Sequence, residues 1–265
     1  IEKMMKQLGV LLLIVTLMVA YVFTAVPNNK RTLVVIDSND VKNTHSKFFA
    51  QLQKRGYNLE FALEGSSIKL AQYGEYNYDN LILIAPKASS GSLSAKALGE
   101  YVDSGNNLIV VADGPLSKLY RDVAAESGIT FDDDNTRAID HFNYDNQLDD
   151  GKHNVLVVDQ ENQFTNRQVI INNRKQFTQR PVLFRGLAMA LKSNNPLLVP
   201  ILTGSGTSYS YSSEPISTKP LVRGRRTVLV GAVQARNGAR VTFVGSKDLL
   251  SNKFFDASVN KAGSS

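Results

Sequence analysis

The sequence contains no cysteine, no tryptophan and only three histidines among its 265 residues. Without cysteine there can be no disulfide, no thiolate metal site and no cysteine nucleophile. A zinc site draws two or three of its ligands from histidine and cysteine, so little is left to build one. No N-x-S/T triplet occurs, and the chain offers no acceptor for N-linked glycosylation. A serine nucleophile on a strand-to-helix elbow is missing too. The nearest analogue, Ala112-Asp113-Gly114-Pro115, carries no hydroxyl or thiol.

Phosphate and nucleotide chemistry fare no better. The first strand candidate is followed by DSNDVKN (37–43), which has no glycine to let a backbone approach a pyrophosphate and two aspartates that repel one. TGSGTS (203–208) has the composition of a phosphate loop. It lacks the following lysine, however, and is trailed by a strand pattern, so it reads as an ordinary loop. Net charge is +6, but the positive residues are dispersed. The densest group, Arg223, Arg225 and Arg226, reads as a solvated loop, the alternative being a surface for an anionic partner. No aromatic-interleaved basic stripe accompanies it, and no nucleic-acid partner is expected.

The longest apolar run lies at the start. Lys3 and Lys6 precede LGVLLLIVTLMVAYVFTAV (8–26), nineteen uncharged residues. A positive flank followed by an apolar stretch is the build of a secretory signal, and the length also suffices for an anchor. The expectation is a signal peptide over 1–26, cut after Thr24 or Ala25, with an uncleaved anchor as the alternative. The chain opens on Ile1, which makes Met4 or Met5 the candidate start.

From Arg31 onward, apolar runs alternate with amphipathic stretches. TLVVID (32–37) reads as a parallel strand buried on both faces, and LEFAL (59–63), LILIAP (81–86) and LIVVAD (108–113) as further strands. Between them, His45, Phe48, Phe49 and Leu52 follow helical spacing up to Gly56, and Leu93 to Val102 up to Gly105. Pro115 opens a third helix, with Leu116, Leu119 and Val123 on one face and Gly128 at its end. Strands alternating with helices predict a doubly wound, mostly parallel α/β domain over 30–262. Further on, VLVVD (155–159) is a strand, PVLFRGLAMAL (181–191) is strand or helix, and 203–212 alternates like an exposed strand. Asn237-Gly238 between two apolar runs predicts a closing antiparallel hairpin.

One stretch concentrates the chemistry. DDDNTRAIDHFNYDNQLDD (132–150) holds seven aspartates and His141. Asp140, His141 and Asp145, with Asp132–Asp134, are the candidates for a hard-cation or acid–base site. The stretch has neither the alternate ligand spacing nor the turn glycine of a calcium loop. Ala138, Ile139, Phe142 and Tyr144 instead suggest a short buried strand between acidic flanks. The expected role is structural, with those three residues as weak metal candidates and no catalytic or cofactor-binding residue; the alternative is a carbohydrate- or metal-binding domain with its site around Asp140, His141 and Asp145.

Several segments carry a resemblance. RTLVVID (31–37), THSKFFAQLQKRGYNLEF (44–61), YGEYNYDNLILIAP (73–86), IDHFNYD (139–145), VLFRG (182–186), NPLLVPILTGSGTSYSY (195–211) and VQARNGARVTFVGSKDLLSNKFF (233–255) resemble, in order, the DDOST family. Its members are non-catalytic subunits of the endoplasmic-reticulum oligosaccharyltransferase, which transfers a preassembled glycan from dolichyl pyrophosphate to asparagine in N-x-S/T sequons. The resemblance implies a luminal scaffold domain with a fold like that of class I glutamine amidotransferases, shared with intraflagellar-transport proteins and lacking their catalytic cysteine. It implies no cofactor in this subunit. It implies partners in the catalytic subunit and in ribophorin-type and DAD-type subunits, and further luminal β-structure and a membrane helix beyond residue 265. An exposed apolar or tyrosine-rich patch, with Tyr209 and Tyr211 as candidates, is expected where such subunits meet.

Overall fold

The computed structural model describes residues 30–88, 93–159, 163–164, 181–212 and 219–262. The apolar run 8–26 lies outside the described residues. Among those described, no helix is long and apolar enough to cross a membrane. Residues 31–265 form one compact unit.

The chain is α/β. Strand β1 (Arg31–Ile36) leads through α1 (Asp40–Thr44) and α2 (Ser46–Lys54) to β2 (Asn58–Leu63). Short strands β3 (Ala71–Gln72) and β4 (Glu75–Tyr76) precede β5 (Asn80–Ile84), α3 (Ala95–Asp103), β6 (Asn107–Val111) and α4 (Lys118–Glu126). Next come β7 (Ile129–Phe131), β8 (Thr136–Ile139), β9 (Leu156–Val158), β10 (Val182–Phe184), β11 (Met189–Leu191), β12 (Leu198–Thr203) and β13 (Tyr209–Ser212). Strands β14 (Val228–Gln234) and β15 (Arg240–Val244) and helix α5 (Asn252–Asp256) complete the order.

Nine strands join in one sheet, ordered β2-β1-β5-β6-β15-β14-β11-β7, with β12 also on β14. From β2 to β15 every pairing is parallel: Val34 of β1 lies opposite Phe61 on one side and Ile82 on the other. Alternate side chains explain why these strands read as unbroken apolar runs. Leu33, Val35, Leu81, Leu83, Leu108 and Val110 pack with Leu98, Tyr101, Leu119 and Tyr120 of α3 and α4. Val34, Ile36, Ile82, Ile84 and Val111 pack with Phe49 of α2 and with Leu156, Val158 and Phe184 of β9 and β10. Both faces are therefore dry, and each fully buried Leu or Ile contributes about 1.5–3 kcal/mol.

Beyond β15 the sheet turns antiparallel, beginning with the expected hairpin. Strand β14 runs antiparallel to β15, β11 and β12, and β11 antiparallel to β7. The expected hairpin is the cause: Gly238 takes φ +89° in the turn, and a connection that short cannot carry a parallel crossover. Asn237 fixes the turn from outside, donating to the carbonyls of Val102 (2.8 Å) and Asp103 (2.9 Å) at the end of α3.

One open reading is decided and two local expectations are corrected. The 181–191 segment is two strands, β10 and β11, split at Arg185-Gly186, where backbones nearly touch. A Cβ on Gly186 would stand 2.0 Å from the Gly245 carbonyl oxygen. The third helix begins at Lys118 rather than at Pro115, with Ser117 as its extended N-cap residue. The buried strand in the acidic stretch is only β8, and Phe142 beyond it is 69% exposed.

Candidate functional site

Strand β8 pairs antiparallel with β13, placing Ile139 opposite Tyr209 and Arg137 opposite Tyr211. The segment that follows β8 turns sharply because Asp140 holds it. This carboxylate is 1% exposed and accepts from the amides of Phe142 (2.9 Å) and Asn143 (3.1 Å) and from Asn143 Nδ2 (3.1 Å). Thr207 Oγ1 (2.8 Å) and Ser205 Oγ donate to it from the loop between β12 and β13. Burial alone raises its pKa. The donors from Ser205, Phe142, Thr207 and Asn143 outweigh that and hold the carboxyl below its usual range. TGSGTS thus supplies hydroxyls to an aspartate instead of amides to a phosphate.

Asp145 is fully buried and equally committed. Its carboxylate accepts from the amides of Gln147 (3.0 Å), Leu148 (2.8 Å) and Asn260 (2.6 Å). Asp149 closes the next loop, accepting from the amides of Gly151 (2.8 Å), His153 (2.9 Å), Asn154 (2.7 Å) and Val155 (3.1 Å). Burial opposes its ionisation, yet the Val155, His153, Asn154 and Gly151 amides bring its pKa below the ordinary value. That grip holds His153 at φ +55°, a left-handed conformation that costs a non-glycine residue about 1–2 kcal/mol.

His141 points elsewhere. Its Nδ1 meets Nδ1 of His153 at 2.6 Å, and its Nε2 meets the Tyr209 hydroxyl at 3.0 Å. The ring of Tyr144 stacks tilted on His153 at 4.3 Å, and Tyr211 meets Tyr209 edge-on at 6.3 Å. The side chains of Asp140, His141 and Asp145 thus turn to different partners. Among the described residues no three His, Asp or Glu side chains converge to hold a metal ion. Sequence reading left His141 alone; the structure gives it His153 and Tyr209.

The rings of His141, His153, Tyr209 and Tyr211 line a cleft of about 710 Å³ together with Gly114, Arg137 and Lys152. It opens where β6 ends, the side of an open α/β sheet where ligands bind. Asp113, next to that end, has its pKa raised, chiefly by burial, against the opposing pull of Arg137 at 3.7 Å. Arg121 meets Asp134 at 2.5 Å beside it. Farther along the strand ends, Lys247 pairs with Asp37 at 2.6 Å and Arg185 with Asp248 at 2.5 Å. Asp132 and Asp133 serve the turn before β8: Asp132 Oδ1 accepts from the Asp133 amide at 2.8 Å, and the Asp133 carbonyl accepts from Thr136 Oγ1 at 2.6 Å. Arg223, Arg225 and Arg226 are exposed around a short 3₁₀ turn. Tyr211 is 52% exposed and Tyr209 half-buried.

Comparison with known proteins settles the family. The pattern described as OST48, N-terminal domain, matches residues 24–265. The chain belongs to that family. It is similar to the dolichyl-diphosphooligosaccharide–protein glycosyltransferase 48 kDa subunits of Danio rerio (38% identical over 92% of this chain and 55% of the relative) and Arabidopsis thaliana (39% over 90% and 54%). The Caenorhabditis elegans subunit of the same name is 38% identical over 89% of this chain and 53% of the relative. The chain thus spans about half the length of the curated relatives it matches. In fold it resembles the mmIFT52 N-terminal domain, with TM-score 0.60 and 15% identity over 85% of this chain and 90% of that one. This agrees with the expected likeness to intraflagellar-transport proteins.

Proposed function

We propose that this chain is the luminal domain of a non-catalytic subunit of the oligosaccharyltransferase complex, the assembly that moves a glycan from dolichyl pyrophosphate to asparagine. Family membership carries the reading, through three relatives from animals and a plant that bear the name of the 48 kDa subunit. The site chemistry supports the non-catalytic half of it. Asp140 and Asp145, buried in the most acidic stretch, spend their oxygens on backbone and side-chain donors, and the cysteine position of an amidotransferase has no cysteine to fill it. The reading includes the expected likeness to class I glutamine amidotransferases, with which the doubly wound strand order β2-β1-β5-β6 is compatible. Partners are then the catalytic subunit and ribophorin-type and DAD-type subunits, in the endoplasmic-reticulum membrane and facing the lumen. No cofactor is required of this subunit.

Exposed Phe142, Leu221 and Phe255 are among the apolar side chains such an assembly would cover. The test is depletion of the natural full-length protein, with sequon occupancy on a reporter glycoprotein and native-gel assembly as readouts. Occupancy should fall and return when the protein is re-supplied. Unchanged occupancy after complete depletion would overturn the reading.

A further inference from the structure

We infer that the cleft between the end of β6, strands β8 and β13 and the Gly151–Asn154 loop is a binding site for an uncharged oligosaccharide. The choice of sugar among uncharged ligands rests on the function proposed above; the polarity of the cleft does not.

Size and place come first. At about 710 Å³ the cleft lies within the roughly 300–1,000 Å³ range of small-molecule sites, and it stands at the carboxyl end of a parallel strand. Its charges are already matched. Asp134 is met by Arg121 and Arg137 by Asp113, while Lys152 lies 3.5 Å from Asp150. Arg137 Nη1 also donates to the Thr136 carbonyl at 2.8 Å. A phosphate entering here would have to break these pairs; an uncharged ligand would not.

What the cleft does offer is a relay of groups that both donate and accept. A hydrogen bond across the 2.6 Å Nδ1–Nδ1 contact between His153 and His141 needs one ring as donor and the other as acceptor. If His141 donates there, its Nε2 accepts from Tyr209, and His153 Nε2 carries the outward proton. If His153 donates, His141 Nε2 donates to Tyr209, whose hydroxyl proton turns outward. The two ends of the relay thus exchange roles together. A sugar hydroxyl, itself donor and acceptor, satisfies either state. Beside the relay, half-exposed Tyr211 and the Tyr209 ring supply aromatic faces against which the C–H side of a pyranose packs.

The test is saturation-transfer NMR on the full-length protein with mannotriose, chitotriose, maltotriose and inorganic pyrophosphate as probes. Variants are Tyr211→Ala, at an exposed position, and His153→Asn, which tolerates the left-handed backbone there. At least one trisaccharide should receive saturation, and each variant should weaken its binding about tenfold, or about 1.4 kcal/mol. The best trisaccharide, presented on a diphosphate and on an asparagine peptide, then distinguishes a donor glycan from a product glycan, and preference for either supports the site. No transfer from any sugar at millimolar concentration would overturn the inference. So would binding of pyrophosphate alone, or sugar binding that neither variant changes. Native-gel assembly on the same preparation separates the two readings. A protein that assembles but binds no sugar refutes the cleft alone, and one that binds sugar through Tyr211 but never assembles refutes only the proposed function.

Discussion

His141 and His153 meet Nδ1 to Nδ1 at 2.6 Å across a loop that Asp149 ties shut with four backbone amides. The contact depends on a carboxylate that touches neither ring. Asp149→Ala should release the loop, let His153 leave its left-handed conformation, and separate the imidazoles. Imidazole ¹⁵N spectra report this directly, since the shared-proton signature of His141 should vanish while the remaining sheet resonances stay in place. A retained signature would show that ring packing from Tyr144 suffices.

Asp140 is the hub of the same region, and its loss should act on stability. Asp140→Asn places an amide NH₂ among the donors of Ser205, Thr207 and Asn143 in a site that is 1% exposed. Unsatisfied buried donors cost about 1–3 kcal/mol each, so the variant should lose about 3 kcal/mol in urea unfolding. Tyr211→Ala, on the exposed end of the cleft, should change stability by less than about 1 kcal/mol.

Acid should weaken the fold through the same carboxylates. Asp140 and Asp149 are held below their ordinary pKa, so in acid the unfolded chain binds more protons than the folded one. The stability they contribute is complete above the unfolded carboxylate range near about pH 4 and is lost as pH falls through their folded values. Urea midpoints measured from pH 5 to pH 3 should fall, and more shallowly in Asp149→Asn.

His45 adds a second, milder pH window. It is 3% exposed, its Nε2 faces the Lys247 carbonyl at 3.1 Å, and its pKa is lowered, chiefly by burial. The unfolded histidine protonates near about pH 6.5, before the folded one does. Stability should therefore decline as pH drops below that value, down to the folded pKa. His45→Gln should flatten the slope between pH 7 and pH 5.5 while leaving the decline below pH 4.

The backbone crossing of Gly186 and Gly245 gives a prediction for the fold itself. A Cβ at Gly186 meets the Gly245 carbonyl at 2.0 Å, and one at Gly245 meets the Leu187 carbonyl at 2.2 Å. Neither obstacle is a side chain that can swing aside. Either alanine variant should lose about 3 kcal/mol or fail to accumulate, as a thermal melt would show.

The parallel half of the sheet was legible because β1, β5 and β6 are dry on both faces and stand out as apolar runs with helical spacing between them. The hairpin was legible from Asn237-Gly238. From β7 to β13 the strands at β9 and β13 were legible but their pairing was not, for these strands are three to six residues long and pair across large separations, as Ile139 does with Tyr209. Phe142 was misplaced because an alternating pattern was extended past Asp140, where the chain turns onto the aspartate's own oxygens. The pairing of His141 with His153 depends on the Asp149 loop. The only local trace of it is the turn-forming DDGKH (149–153), which returns the chain toward β8.

The function proposed above has this chain supply structure and surface to glycan transfer and no reacting group. Asp113 is the residue to change, since it follows the end of β6 beside the cleft and burial raises its pKa. Asp113→Asn in the full-length protein, purified within its assembled complex, should transfer glycan to a sequon peptide with kcat within about twofold of wild type, far from the roughly 10²–10⁴-fold that general acid–base catalysis contributes. A normally assembled complex whose kcat falls a hundredfold or more would contradict the account.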